Sequence, residues 1–249
     1  MKRQFGLIGF PLSHSFSRRF FTEKFSKERI DAEYLNFEIG SITDLPQLIH
    51  NHPKLEGFNI TIPYKELVIS YLDKIDESAS RIKAVNTVKI DRSANHISLH
   101  GFNTDIHGFQ ESIKPLLQKF HHKALVLGTG GASKAVVHAL ENLNIEVILV
   151  SRNPEEKGEI SYSDLDQDVM ESYKIIVNTT PIGTYPNIEG CPALPFEWIT
   201  PRHLLFDLVY NPEVTEFLKQ GKLQGATIKN GMEMLELQAL AAWEIWNKL

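Results

Sequence analysis

Gly128-Thr129-Gly130-Gly131 follows the apolar run Ala124 to Leu127 and precedes an apolar, helix-forming stretch from Ala132. A strand that runs into glycines and then into a helix aims several backbone N–H groups at one point, where the helix dipole also favours an anion. A pyrophosphate suits that point. Gly128 permits the tight turn and Gly130 the close approach of a ligand, while Ser133 stands where the strict dinucleotide fingerprint has its third glycine. The context carries the reading, because a second strand, Val147 to Val150, follows at the right distance to complete a βαβ unit. Bound nicotinamide dinucleotide, and with it redox chemistry, is the expected use. Where an NAD-selective fold presents a carboxylate to the ribose 2′-hydroxyl, this chain has Ser151-Arg152-Asn153. The Arg152 guanidinium can pair with a 2′-phosphate, with Ser151 and Asn153 adding hydrogen bonds, so NADP is expected over NAD. Glu155-Glu156 just beyond would oppose that phosphate if they faced it.

Other polar clusters fall at strand ends and turns of the first hundred residues. Ser13-His14-Ser15-Phe16-Ser17 stands at a helix start, where hydroxyls and free N–H groups make a small carboxylate site or simply cap the helix. Asn59-Ile60-Thr61-Ile62-Pro63-Tyr64-Lys65, Ala84-Val85-Asn86-Thr87 and Asn103-Thr104-Asp105 follow, each readable alone as a cap or a turn. Lys65 is expected to open a helix, where an ammonium opposes the dipole, a cost that a functional role would explain.

The elements that must position these residues alternate strand and helix. Strands are expected at Phe5 to Gly9, Glu33 to Ile39 and Gly57 to Ile62, with helices at Phe16 to Glu28, Ile42 to Asn51 and Asp76 to Lys83. Val85 to Ile90 and Ile97 to Phe102 read as a hairpin. Asp105 to Phe120 reads as a long helix that Pro115 bends, and Asn153 to Tyr173 shows no helix. Buried strands are expected at Lys174 to Asn178 and Leu204 to Val209, with a shorter one at Ala226 to Lys229. The last helix, from Met232, carries Leu235, Ala239, Leu240, Trp243 and Trp246 on one stripe. The expected architecture is α/β with two domains. Residues 1–104 with 230–249 form an α/β substrate-binding and catalytic domain, residues 105–229 a Rossmann-like NADP-binding domain, and the site lies in the cleft between them.

Composition narrows the partners. The chain has 249 residues, 42% hydrophobic, with a formal net charge of −5 and no basic run, so nucleic acid and an acidic membrane surface are not expected partners. Cys191 is the one cysteine, which excludes a disulfide framework and a multi-cysteine metal site and fits a reducing, cytoplasmic setting. The apolar run after Met1-Lys2-Arg3-Gln4 is too short for a signal peptide or a membrane span. A small-molecule substrate is expected, handled by a monomer or homodimer.

Taken together, the motifs resemble those of the shikimate dehydrogenase family, whose members reduce 3-dehydroshikimate to shikimate with NADPH, and the resemblance runs through the whole chain. The family's S-x-S is similar to Ser15 and Ser17, and its N-[VI]-T-[VI]-P-[FY]-K matches Asn59 to Lys65 at every position. A-V-N-T matches Ala84 to Thr87, N-T-D matches Asn103 to Asp105, and G-x-G-G-A matches Gly128 to Ala132. N-x-T-P-x-G resembles Asn178, Thr180, Pro181 and Gly183; D-x-x-Y-x-P matches Asp207, Tyr210 and Pro212; Gly231 and Gln238 stand near the end. The resemblance implies Lys65 and Asp105 as the catalytic pair and Ser15 and Ser17 as carboxylate ligands. It further implies Thr61, Asn86, Asp105, Tyr210 and Gln238 around the ring. Gly128, Thr129, Gly130, Gly131, Ala132, Ser151, Arg152, Asn153, Thr180, Leu208 and Gly231 would surround the cofactor, with no metal. The implied reaction lies on the route to chorismate and the aromatic amino acids. Arg18 stands where many relatives have proline and Leu208 where some have methionine. The alternatives are a quinate/shikimate dehydrogenase using NAD or NADP, and a non-catalytic ligand-binding member, against which the presence of both Lys65 and Asp105 argues.

Overall fold

The computed structural model describes residues 2–12, 16–93, 96–154 and 158–248; Ser13, His14, Ser15, Glu155 and Glu156 lie outside them. The chain divides into two compact units, Met1–Thr104 with Gln238–Leu249, and Asp105–Leu237. Along the chain the order begins β1 (Arg3–Gly9), α1 (Phe16–Glu28), β2 (Ala32–Glu38), α2 (Leu45–Asn51), β3 (Leu55–Ile60), β4 (Lys74–Ile75), α3 (Glu77–Ile82), β5 (Thr87–Ser93) and β6 (His96–Phe102). It continues with α4 (Thr104–Ile113), β7 (Lys123–Leu127), α5 (Gly131–Asn142), β8 (Glu146–Ser151), β9 (Glu159–Ser161), α6 (Gln167–Ser172) and β10 (Ile175–Asn178). The series ends with β11 (Leu204–Asp207), α7 (Glu216–Leu223), β12 (Thr227–Lys229) and α8 (Met232–Asn247).

The first sheet has the order β2-β1-β3-β5-β6-β4. β1 lies parallel between β2 and β3, and β5 runs antiparallel to both β3 and β6. Residues Gly6 to Gly9 of β1 are all buried, as a central strand covered on both faces requires. One face packs Ile8, Phe58 and Val88 against Leu45 and Ile49 of α2 and Ala79 of α3. The other packs Phe5 and Tyr34 against Phe21 and Phe25 of α1 and against Ala239, Ala242 and Trp246 of α8. Of the expected stripe on α8, Ala239 and Trp246 are buried but Leu240 is 38% exposed, because Ala242, three residues on from Ala239, takes the inward position. Trp246 stacks on Phe5 with ring centroids 4.9 Å apart and donates its indole N–H to the Val88 carbonyl at 3.0 Å.

The second sheet is parallel throughout, in the order β12-β11-β10-β7-β8-β9. Counted from β7, that is the doubly wound dinucleotide-binding order, with its reversal point between β7 and β10. Leu125, Val150, Ile176, Leu205 and Phe217 form the core of one face. The long helix expected from Asp105 ends at Ile113, and Pro115 falls in a short 3-10 turn, Lys114–Leu116, consistent with its missing N–H. The segment expected to lack a helix contains both β9 and α6, the latter capped by the Asp166 carboxylate accepting from Val169 N–H at 2.9 Å. Among the described residues no helix is long and apolar enough to cross a membrane.

Gly57 lies directly under the Trp246 indole, so that a β-carbon there would collide with Trp246 Cδ1 and Nε1. Gly57→Ala should therefore cost about 1–3 kcal/mol by overpacking. Urea unfolding checks this as a lowered midpoint at unchanged m.

Candidate active and dinucleotide sites

In the first unit, the residues expected around a substrate ring belong to a buried polar cluster. The Asn86 side-chain oxygen accepts from Thr104 N–H at 2.7 Å and lies 3.1 Å from the Thr87 hydroxyl. With that oxygen engaged, the amide nitrogen is the donor that Asn86 has left to offer. The Thr104 hydroxyl reaches Gln238 Oε1 at 3.3 Å, which ties α8 to the start of α4. Asn59 donates to Thr87 Oγ1 at 3.0 Å and to the Asn86 carbonyl at 3.2 Å, and its own oxygen accepts from the Tyr34 hydroxyl at 2.8 Å. Burial raises the Tyr34 phenol far above its usual range, against a hydrogen bond from Ser17 that favours the ionised form. Ser17 thus joins the same chain of hydrogen bonds, while Ser15 lies outside the described residues. Tyr34, Asn59, Thr87 and Thr104 had no role assigned from sequence; that β2, β3, β5 and the start of α4 bring them together is a tertiary fact.

Lys65 is half-buried and does not open a helix. It lies in a turn followed by a 3-10 segment, Leu67–Tyr71. The reason is long-range: the Lys65 carbonyl accepts from Val85 N–H at 2.8 Å, and Ile69 N–H bonds to Glu66 instead. Lys65 therefore opposes no helix dipole, and the cost expected of it on that ground is absent. Thr61 is half-buried at the end of β3, its N–H on the Ile8 carbonyl at 2.9 Å, and Asp105 is half-buried in the first turn of α4.

In the second unit a cavity of about 680 Å³ opens at the reversal point of the sheet, walled by Gly128, Thr129, Gly130, Ser151, Arg152 and Thr180. Gly128 has φ +101°, a conformation that favours glycine, and its N–H donates to the Val150 carbonyl at 2.9 Å. Gly130 caps α5 without a side-chain bond, and β-carbons placed on Gly130 and Gly131 would meet nothing within 4 Å. The helix start is thus uncovered, as a pyrophosphate requires, so the residues present fit a dinucleotide. Gly131, Ala132, Asn153, Leu208 and Gly231 are not on this wall. Leu208 and Gly231 meet each other: a β-carbon on Gly231 would collide with the Leu208 carbonyl, and Gly231 N–H donates to Val209 O at 3.2 Å.

Ser161, Tyr162 and Ser163 share the wall with Arg152 and were missed in the sequence. They arrive there because β9 pairs with β8, Ser161 opposite Ser151, and a strand of 3 residues has no periodicity to read. Burial raises the Tyr162 phenol, against the nearby Arg152 charge. Cys191 also lines the cavity, its thiol pushed up to about 11 by burial first and then by Glu216 and Asp207, so it stays protonated at neutral pH.

Asp207 at the end of β11 is fully buried. It accepts from the Thr215 hydroxyl at 2.5 Å, Val209 N–H at 3.0 Å and Asn178 Nδ2 at 3.0 Å. Burial pushes its carboxyl up to about 6 despite these donors.

Fold and glycine turn together define a protein with a dinucleotide-binding domain of the Rossmann type and a second α/β unit. Residues 7–88 match the family of the shikimate dehydrogenase substrate binding domain. The shikimate dehydrogenase (NADP(+)) of Methanococcus vannielii is 35% identical over 97% of this chain and 90% of its own length. The solved shikimate dehydrogenase of Aquifex aeolicus superposes with a TM-score of 0.85 at 33% identity, covering 99% of this chain and 92% of that one. The Thermus thermophilus enzyme, solved in complex with NADP(H) and shikimate, gives 0.84 at 31% identity over 99% and 94%. The chain belongs to the shikimate dehydrogenase family.

The raised Asp207 carboxyl sets a pH dependence of stability. Its proton is released near pH 4 in the unfolded chain but near 6 in the folded one, so the folded state binds more protons between those values and its stability falls as pH rises through them. At about 1.4 kcal/mol per unit, this group's contribution drops by roughly 3 kcal/mol. Urea unfolding of the parent and of Asp207→Asn across this window should show the parent losing ground to the variant as pH rises.

Proposed function

We propose that the chain catalyses the reversible NADPH-dependent reduction of 3-dehydroshikimate to shikimate, on the route to chorismate and the aromatic amino acids. The observation that carries this reading is likeness along nearly the whole chain to relatives named for that reaction, with Lys65 and Asp105 both in place. The cysteine content supports a reducing compartment, the cytoplasm.

When bound, the nicotinamide supplies or takes the hydride. The protein does the rest. Lys65 places its ammonium at the reacting oxygen, where it stabilises the charge that builds there and delivers the proton in the direction of reduction. Asp105 orients Lys65. Ser15 and Ser17 hold the substrate carboxylate, Thr61, Asp105, Tyr210 and Gln238 take ring hydroxyls, and Asn86 donates through its amide nitrogen, its oxygen being engaged by Thr104. The glycine turn and the first turn of α5 hold the pyrophosphate, with Thr180 beside them. Arg152, with Ser151 and Asn153, takes the 2′-phosphate. Ala132, Leu208 and Gly231 complete the cofactor's surroundings.

Rates measured with shikimate and with quinate, each with NADP and with NAD, test the assignment; the shikimate and NADP pair should be fastest. Lys65→Ala should lower kcat by about two to four powers of ten while changing the shikimate KM far less. A folded Lys65→Ala protein turning over within a few-fold of the parent would remove Lys65 from the chemistry. Arg152→Ala should raise KM for NADP much more than KM for NAD, because only the former carries the charge that Arg152 pairs. Equal effects on both would contradict its role.

A further inference from the structure

Asp207 stands outside the cavity wall, yet its bonds lead to it. We propose that Asp207 is a positioning residue for the dinucleotide, acting through Asn178 and Thr180 on the glycine turn; this rests on the reading that the cavity takes NADP. Each neighbour of the carboxylate donates: Thr215 Oγ1 at 2.5 Å, Val209 N–H at 3.0 Å and Asn178 Nδ2 at 3.0 Å. An ionised carboxylate is acceptor-only, so it satisfies them together. By taking the Asn178 amine, Asp207 dictates which way the Asn178 amide faces. Its oxygen is then left for Thr180, accepting from the backbone N–H at 3.1 Å and from the hydroxyl at 2.6 Å. The Thr180 oxygen in turn accepts from Ile182 N–H at 3.3 Å, which closes the loop after β10 into a turn.

That turn reaches the cofactor side through shape. A β-carbon on Gly128 would lie 2.9 Å from the Thr180 methyl, so Thr180 already fills the space beside the left-handed glycine on which the pyrophosphate turn depends. Ile182, Thr179 and Thr180 all face the cavity. The same carboxylate holds Val209 N–H, and Leu208 N–H bonds to the Asn178 carbonyl at 2.9 Å, so the loops after β10 and β11 are set by one group.

An alanine at position 207 cannot reproduce this. Asn178 Nδ2 and Val209 N–H both bond to Asp207 Oδ1, and with that acceptor removed nothing holds the Asn178 amide with its oxygen toward Thr180. An asparagine is the wrong probe, because its oxygen can stay on those two donors while its amine meets the Thr215 hydroxyl, which can accept.

The experiment measures NADP+ affinity by quenching of protein fluorescence, alongside circular dichroism and thermal melting, for Asp207→Ala, Thr180→Val and the double variant. Asp207→Ala should weaken NADP+ binding about tenfold, the scale of one lost hydrogen bond to a charged group. In the Thr180→Val background the further loss should be no more than about threefold, because residues acting in series are not additive. Binding within about twofold of the parent in folded Asp207→Ala would overturn the proposal, as would full additivity in the double variant. A merely structural role would lower the melting temperature and leave the affinity of the folded protein unchanged. Should Asp207→Ala not fold, Thr215→Val decides, since it removes one donor to the carboxylate and leaves the charge: roughly threefold weaker binding supports the proposal and parent-like binding overturns it. A parent that bound no NADP+ would defeat the functional reading itself, a result visible before any variant is made.

Discussion

Two neighbouring parallel strands whose chains depart in opposite directions leave a gap that no connection can fill. β7 pairs with β10 in this way, Leu127 opposite Asn178, with β8 and β9 on one side and β11 and β12 on the other. The Leu127 carbonyl is shared by the N–H of Thr179 at 3.0 Å and its hydroxyl at 2.7 Å, which seals the floor of the gap. Everything attributed to the dinucleotide follows from that geometry. The glycine turn must bend sharply over the floor, α5 must start at its rim, and the ends of β8 and β9 must line one side with Arg152 and the three residues after Ile160.

The first unit solves a different problem. Its polar residues are buried where a sheet changes from parallel to antiparallel pairing, so each must find a partner or be penalised for lost hydration. Asn59, Asn86, Thr87 and Thr104 do so by bonding to one another, which fixes the orientation of both asparagine amides.

How much of this was legible depended on the range of the interaction responsible. α1 spans the residues its pattern indicates, and β1, β3 and the βαβ unit around Gly128 differ only at their ends, because near-continuous apolar runs and a glycine turn are local signals. The helix at Lys65 was wrong because the carbonyl that would have begun it is taken by Val85, 20 residues away in sequence. β9 was invisible because a few residues on the edge of a sheet carry no period, and with it went Ser161, Tyr162 and Ser163. Among the candidate site residues, Gly128, Thr129, Gly130, Ser151, Arg152 and Thr180 come together on one wall, whereas Leu208 and Gly231 form a contact of their own. Asp207 was legible as a motif and silent as to role, since its three donors come from β10, the turn after β11 and the start of α7.

The first unit is assembled from two stretches of chain, while the second is continuous from Asp105 to Leu237. During synthesis on the ribosome the dinucleotide-binding sheet can therefore close as soon as its last strand emerges. The other sheet, though made first, must wait with the face around Phe5 and Gly57 uncovered until Trp246 arrives. The earliest-made half is the last to be completed, and its aromatic face is the surface that the nascent chain has to keep from aggregation in the interval.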